Sequence, residues 1–212
     1  MARPLQDPQI RKNEILDAAE ILFYSTGYRQ TVVSDIVKKI GVSKGTFYYY
    51  FSSKEELIEA LIYRHLDQFS SEMEAVTFSD LILPHRKIDL MAIIIYKVLQ
   101  QKQGLLFEYL YEDQYLHLID KFFRQGKKIL APFLLRIIEE GCLKNSFKVN
   151  EPVVAVNYIL ALLQGFVEAA YNKVPKGLFS VHLILFKELT EKALGVPEGT
   201  LQMSWELLMG NS

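Results

Sequence analysis

The sequence predicts an all-α fold, with three helices in an N-terminal section and a larger helical body behind them. Apolar residues recur at the i, i+3, i+4, i+7 spacing of a helix along most of the chain, and strand-like alternation is scarce. Helix breakers such as Gly27, Gly41, Asn145, Pro152 and Gly195 fall between these stripes. Of the 212 residues 50% are hydrophobic and 12% aromatic, which excludes a disordered chain, and 11 Gly with 7 Pro exclude a collagen-like one.

The elements follow in order. Asp7-Pro8 reads as an N-cap followed by proline at the first helical position, and Ile15, Ala18, Ala19, Leu22 and Phe23 form the apolar stripe of a helix that Gly27 ends. Val33, Ile36, Val37 and Ile40 mark a second, short helix, with Thr31 the nearest candidate capping side chain and Gly41 its end. Gly41-Val42-Ser43 allows only a tight turn before a third helix, capped by Ser43 and carrying Phe47 and Phe51 on one face. Ser53-Lys54-Glu55-Glu56 fits a capping box and opens a long amphipathic connector over about 53–76. Further helices are expected at roughly 86–103, 105–112, 114–143, 151–173 and 178–194, then an amphipathic tail holding Trp205. Pro132 predicts a kink or break near 128–131. The expected domains are 1–54 and 55–212.

Charge is uneven. Residues 1–54 carry 8 Lys+Arg against 5 Asp+Glu, and residues 55–212 carry 16 against 20, so a polyanion would meet the front of the chain. A single cysteine, Cys142, excludes an intramolecular disulfide framework and any multi-cysteine metal site; as a small buried hydrophobe it fits a reducing cytoplasm. No uninterrupted apolar run reaches the roughly 18 to 20 residues of a membrane helix, and the N-terminus lacks the apolar core of a secretory signal. A cytoplasmic protein without a membrane partner is expected.

Two short helices around a tight turn, supported on either side, form a helix-turn-helix, a motif that reads DNA. At 100° per residue, Phe47 and Phe51 point inward, leaving Gly45, Thr46 and Tyr49 outward with Lys44, Tyr48 and Tyr50 on the flanks. Glycine lets backbone approach a groove, Thr46 and Tyr49 can contact base edges, and Lys54 at the start of the fourth helix suits a phosphate. Surface aromatic packing is the competing account of the three-tyrosine run.

The stretch Ile15-Leu-Asp-Ala-Ala-Glu-Ile-Leu-Phe23, Gly27-Tyr28, Thr31, Asp35-Ile36, Gly41-Val-Ser-Lys-Gly-Thr-Phe-Tyr-Tyr-Tyr-Phe51 and Ser53-Lys-Glu-Glu-Leu57 resembles the tetracycline-repressor (TetR) family. The resemblance implies a homodimeric transcription regulator, usually a repressor, that binds operator DNA through this section and an inducer through its C-terminal domain. It places DNA-contacting positions at Thr31, Ser43, Lys44, Gly45, Thr46, Tyr48, Tyr49, Tyr50 and Lys54. Two residues depart from the family's pattern: Val32 stands where a capping Ser or Thr is frequent, and Tyr50 where a His is frequent.

Within the body, Glu168 is the only charged side chain from Pro152 to Asn172, and apolar residues occupy nearly every face. One subunit's core needs a single stripe. Leu160, the small-residue line Ala161, Gly165 and Ala169, and Val181 and Leu185 of the next helix are therefore the expected two-fold interface, and the resemblance implies the same helix pair. The alternative is a central helix buried within one monomer. Aromatics crowd 107–123, and Tyr96, Phe107, Tyr111, Tyr115, Phe122, Gln164, Phe166 and Tyr171 are candidate lining for a small, largely apolar or aromatic effector. Ordinary core packing accounts for any one of them as well. His117 and Asp120, one turn apart, read as a solvated polar face, so neither metal nor cofactor is expected. The chain shows no phosphate-binding glycine loop, nucleophile elbow or zinc-protease motif, and no enzymatic activity is expected.

Overall fold

The computed structural model describes residues 7–100, 116–171 and 174–203. Among them eight helices follow one another without a strand: α1 (Pro8–Thr26), α2 (Val33–Ile40), α3 (Lys44–Tyr50), α4 (Lys54–Thr77), α5 (Pro84–Gln100), α6 (Leu116–Leu143), α7 (Pro152–Tyr171) and α8 (Lys176–Leu194). The helix expected at 105–112 and the tail with Trp205 lie outside the described residues. The chain forms two compact units that divide between His65 and Leu66, within α4.

The first unit is assembled from locally capped helices. Asp7 accepts a hydrogen bond from the Gln9 amide at 2.8 Å with Pro8 in the first turn, and the Gly27 amide closes α1 on Phe23 O. The start of α2 falls on Val32, one residue beyond the expected cap. Valine has no acceptor, so only the Asp35 carboxylate works there, receiving the Val32 amide at 3.1 Å. Gly41, at φ 70°, turns the chain out of α2 through a left-handed conformation that side chains disfavour. Ser43 Oγ caps α3 on the Thr46 amide at 3.1 Å. Ser53 Oγ receives the Glu56 amide at 3.1 Å as its motif predicts, while Glu56 reaches one residue further back, to the Ser52 amide at 2.6 Å. Ile15, Ala19, Phe23, Ile36, Phe47, Phe51, Leu57 and Leu61 form the core of this unit.

In the second unit α7 packs against both α6 and α8, and α5 against α6, around a core that includes Met73, Ile88, Ile137, Ile159, Phe166 and Leu194. Pro132 does not break α6, which is continuous from Leu116 to Leu143. At its end the Phe147 ring sits on Gly141, where an added Cβ would meet Phe147 Cδ2 at 2.1 Å. Over Pro152–Ala169, α7 is long and apolar enough to cross a membrane by length and composition, with a mean hydropathy of 1.5. Here its buried face packs on α6 and α8. After α8 the chain folds back on the unit: Leu201 N donates to Glu191 at 2.8 Å, and Gln202 N to Asp89 of α5 at 2.8 Å.

Candidate nucleic-acid interface

Two phenylalanines fix the orientation of α3. Phe47 and Phe51 are buried, with ring centroids 5.9 Å apart, and Lys12 Nζ lies 5.7 Å from the Phe51 ring. The opposite side of the helix is turned to solvent: Lys44 and Gly45 are exposed, Tyr48 is 54% exposed and Tyr49 78%. Tyr48 stands edge-on to Phe47 at 5.3 Å and Tyr49 edge-on to the half-buried Tyr50 at 4.9 Å, so each exposed ring has an aromatic neighbour. A Cβ on Gly45 would meet only Ser43 Oγ, at an ordinary 3.6 Å. Packing therefore does not require glycine there, and its effect is to leave backbone bare on the outward face. Thr46 is half-buried, its hydroxyl 3.0 Å from that of Ser43, so these two expected contact residues share the cap of the helix.

Two further expected contacts are placed differently. Thr31 is 1% exposed and donates its hydroxyl to Gly27 O at 2.7 Å, which removes it from the outward set. Lys54 bends back over the end of α1, its ammonium donating to Tyr28 O at 2.7 Å and Thr31 O at 3.0 Å and lying 4.2 Å from the Tyr28 ring centroid. Burial pulls this ammonium below the usual lysine range, with Glu55 opposing. In this arrangement Lys54 holds the α1–α2 connection and does not point its charge outward as a phosphate contact would.

A second charged group ties α4 to α1. Arg64 bridges Asp17 at 2.6 Å and pairs with Glu20, while the buried His65 places Nε2 at 2.9 Å from the other Glu20 oxygen. Burial pushes the Glu20 carboxyl up, but the adjoining His65 and Arg64 outweigh it and hold the group below the usual carboxylate range. The sequence carries no signal for this cluster, since α1 and α4 become neighbours only on folding.

In the body, burial divides the expected interface residues. Ala161, Gly165, Val181 and Leu185 are exposed; Leu160 and Ala169 are buried in the core of the unit. A four-residue step overshoots a 3.6-residue turn by about 40°, so the line through Ala161 and Gly165 has rotated inward by Ala169. Tyr158, 68% exposed, joins the outward side with Val154, a position the sequence reading did not single out. Among the candidate effector residues, Tyr96 and Phe166 are buried in an aromatic cluster, with Phe179 5.1 Å and Phe186 5.5 Å from Phe166 and Tyr96 6.5 Å from Phe179. Phe122 is half-buried and pairs with Phe123 at 5.6 Å. Gln164 lies on the exposed side of α7, donating to Glu168 at 2.9 Å, and is not brought to that cluster. Phe107, Tyr111, Tyr115 and the Tyr171 side chain lie outside the described residues. Among the described residues no group of three or more His, Cys, Asp or Glu is placed to hold a metal ion.

An all-α chain whose short third helix is anchored by phenylalanines and presents lysine, bare backbone and tyrosine outward defines a helix-turn-helix DNA-binding protein. Residues 15–61 match the family of bacterial regulatory proteins, tetR family. The chain is 41% identical over 61 residues to the fatty acid metabolism regulator protein of Bacillus subtilis, a match covering 29% of this chain and 31% of that protein. The fold extends further than the sequence match. SmeT, the repressor of a Stenotrophomonas maltophilia multidrug efflux pump, shares it at a TM-score of 0.66 and 20% identity, over 92% of this chain and 95% of SmeT. So does the transcriptional regulator FadR from B. subtilis in complex with stearoyl-CoA, at a TM-score of 0.62 and 23% identity, over 88% and 99% of the two chains.

Proposed function

We propose that the protein is a transcriptional repressor that binds a palindromic operator as a homodimer in the cytoplasm and is released by a small, largely apolar or aromatic effector. The observation that carries this reading is the outward face of α3, where Lys44, Gly45, Tyr48 and Tyr49 stand exposed around the buried Phe47. An α-helix fits the major groove, lysine meets phosphate, and an exposed tyrosine edge offers ring contact and a hydroxyl to bases. Ser43 and Thr46 hold the start of that helix in place.

Dimerisation is supported by the aliphatic residues that α7 and α8 leave exposed, Val154, Ala161, Val181, Ile184 and Leu185 among them. The effector's character is supported by the aromatic cluster of Tyr96, Phe166, Phe179 and Phe186, whose rings are the kind of surface an apolar molecule packs against. It also follows the ligands in complex with two structural relatives: stearoyl-CoA, whose acyl chain is apolar, with FadR and the aromatic triclosan with SmeT. Release is a population shift: an effector that binds one state of the body better moves α4, and with it the separation of the two heads. The reading contains no catalytic step.

Selection of random double-stranded DNA with the purified protein at two salt concentrations tests the proposal. Enrichment of a palindrome supports it. Retention that falls with salt and enriches no sequence overturns it, because phosphate attraction alone behaves that way.

A further inference from the structure

Among the described residues of the body, one cation is buried, and it meets the end of α4. Lys87, in the first turn of α5, is 1% exposed, and its ammonium donates to Thr77 O at 2.7 Å and to Glu140 of α6 at 2.6 Å. Thr77 is the last residue of α4, so this carbonyl belongs to the final turn, where intrahelical partners run out and the negative end of the helix dipole lies. Glu140 is shared with Lys144 at 2.7 Å; burial raises its carboxyl, but the two lysines outweigh that and keep it below the usual carboxylate range. One ammonium thus joins the ends of three helices.

Stability alone does not account for a lysine at this position. Removing an ion pair from water costs several kcal/mol, and apolar residues of similar volume commonly serve at least as well. What the charge adds is geometry: apolar contacts tolerate sliding of a helix, whereas a charge-assisted hydrogen bond is short and weakens steeply once its atoms part. Midway along α4, Arg64 against Asp17 and Glu20 forms a comparable charged clamp.

We infer that Lys87 is a positioning residue: by fixing the last turn of α4 it sets the separation of the two heads in the dimer, and so determines which half-site spacing the protein accepts. The inference rests on the proposed operator-binding function. Dimeric heads must match half-sites about 34 Å or one helical turn apart, so slack at α4 becomes tolerance of spacing. Lys87 acts without touching DNA.

The test compares the full-length protein with Lys87→Met, Glu140→Gln and Thr77→Ala, using the selected operator and versions with one base pair added or removed between the half-sites. Wild type and Thr77→Ala, which keeps the carbonyl, are expected to reject altered spacings by about tenfold or more, while Lys87→Met discriminates less than about threefold and Glu140→Gln falls between. Hydrogen exchange in residues 70–77 is expected to quicken in Lys87→Met with exchange in α1 unchanged, a readout that needs no DNA. If Lys87→Met lowers only the melting temperature, with exchange and spacing discrimination as in wild type, the inference is overturned. Should Lys87→Met not fold, Glu140→Gln carries the same comparison, and wild-type spacing discrimination there overturns the inference. A wild type that selects no palindrome overturns the operator reading itself, an outcome visible before any variant is compared.

Discussion

α3 and the α7–α8 pair both expose surface that a core would normally claim, but of different chemistry. On α3 the exposed apolar surface is tyrosine, flanked by lysine and bare glycine backbone. On α7 and α8 it is mostly aliphatic: Val153, Val154, Val181, Ile184 and Leu185 are each about half exposed, with no lysine or arginine between Pro152 and Tyr171. Aromatic rings with hydroxyls beside a cation suit a wet, negatively charged groove. Branched aliphatics gain only by excluding water, which a second protein surface does and a nucleic acid does not. Exposure is what the two regions share, and side-chain chemistry is what separates the partners proposed for them.

The largest expected effect breaks the comparison on the α7 side. Gly165 has open space around an added Cβ, so Gly165→Arg should leave the subunit folded while placing a charge in the proposed interface. An unpaired buried charge costs about 3–5 kcal/mol, which corresponds to at least about a hundredfold loss of operator affinity if only the dimer binds. Light scattering should show half the wild-type mass; a dimeric variant would remove this face from the interface. Next come two alanine substitutions that separate interface from core. Gly141→Ala should destabilise by about 1–3 kcal/mol in denaturant, because its Cβ runs into the buried Phe147 ring. Gly165→Ala should stabilise the isolated subunit by up to about 1 kcal/mol through helix propensity.

The head offers a comparison between two lysines. Lys54→Ala should lower its stability by about 1–2 kcal/mol, since the carbonyls of Tyr28 and Thr31 lose their donor. Lys44→Ala should leave stability within about 0.5 kcal/mol and reduce the salt dependence of DNA binding by about one unit. Equal effects of both on the salt slope, with stability intact, would return Lys54 to the phosphate contacts. The smallest effect is on pH. The depressed Glu20 carboxyl contributes stability above about pH 4.5, the ordinary carboxylate value, and loses it as pH falls through its lowered value. Glu20→Gln should therefore flatten the acid limb of the melting-temperature profile, and an unchanged limb would place that sensitivity elsewhere.

The capping motifs and the inward Phe47 and Phe51 were legible because a cap and a helical stripe involve residues three or four apart. Val32 shows the margin of that reading, since without an acceptor the start of α2 shifted by one residue. The outward and inward sides of α7 were less legible, because a helix apolar on every face carries no stripe to orient it. That is why Leu160 and Ala169 went inward while Gln164 went out.

By itself, then, the sequence determined the helical architecture, the turn between α2 and α3, the face that α3 presents and the family that residues 15–61 match, all set by near neighbours in the chain. Only the tertiary structure decided the partners of the long polar side chains. Lys54 reaches Tyr28 across 26 residues, Arg64 reaches Asp17 across 47 and Lys87 reaches Glu140 across 53. A flexible charged side chain serves equally well as a surface contact or an internal clamp, and which it becomes depends on the carbonyl or carboxylate that folding brings within about 3 Å of it.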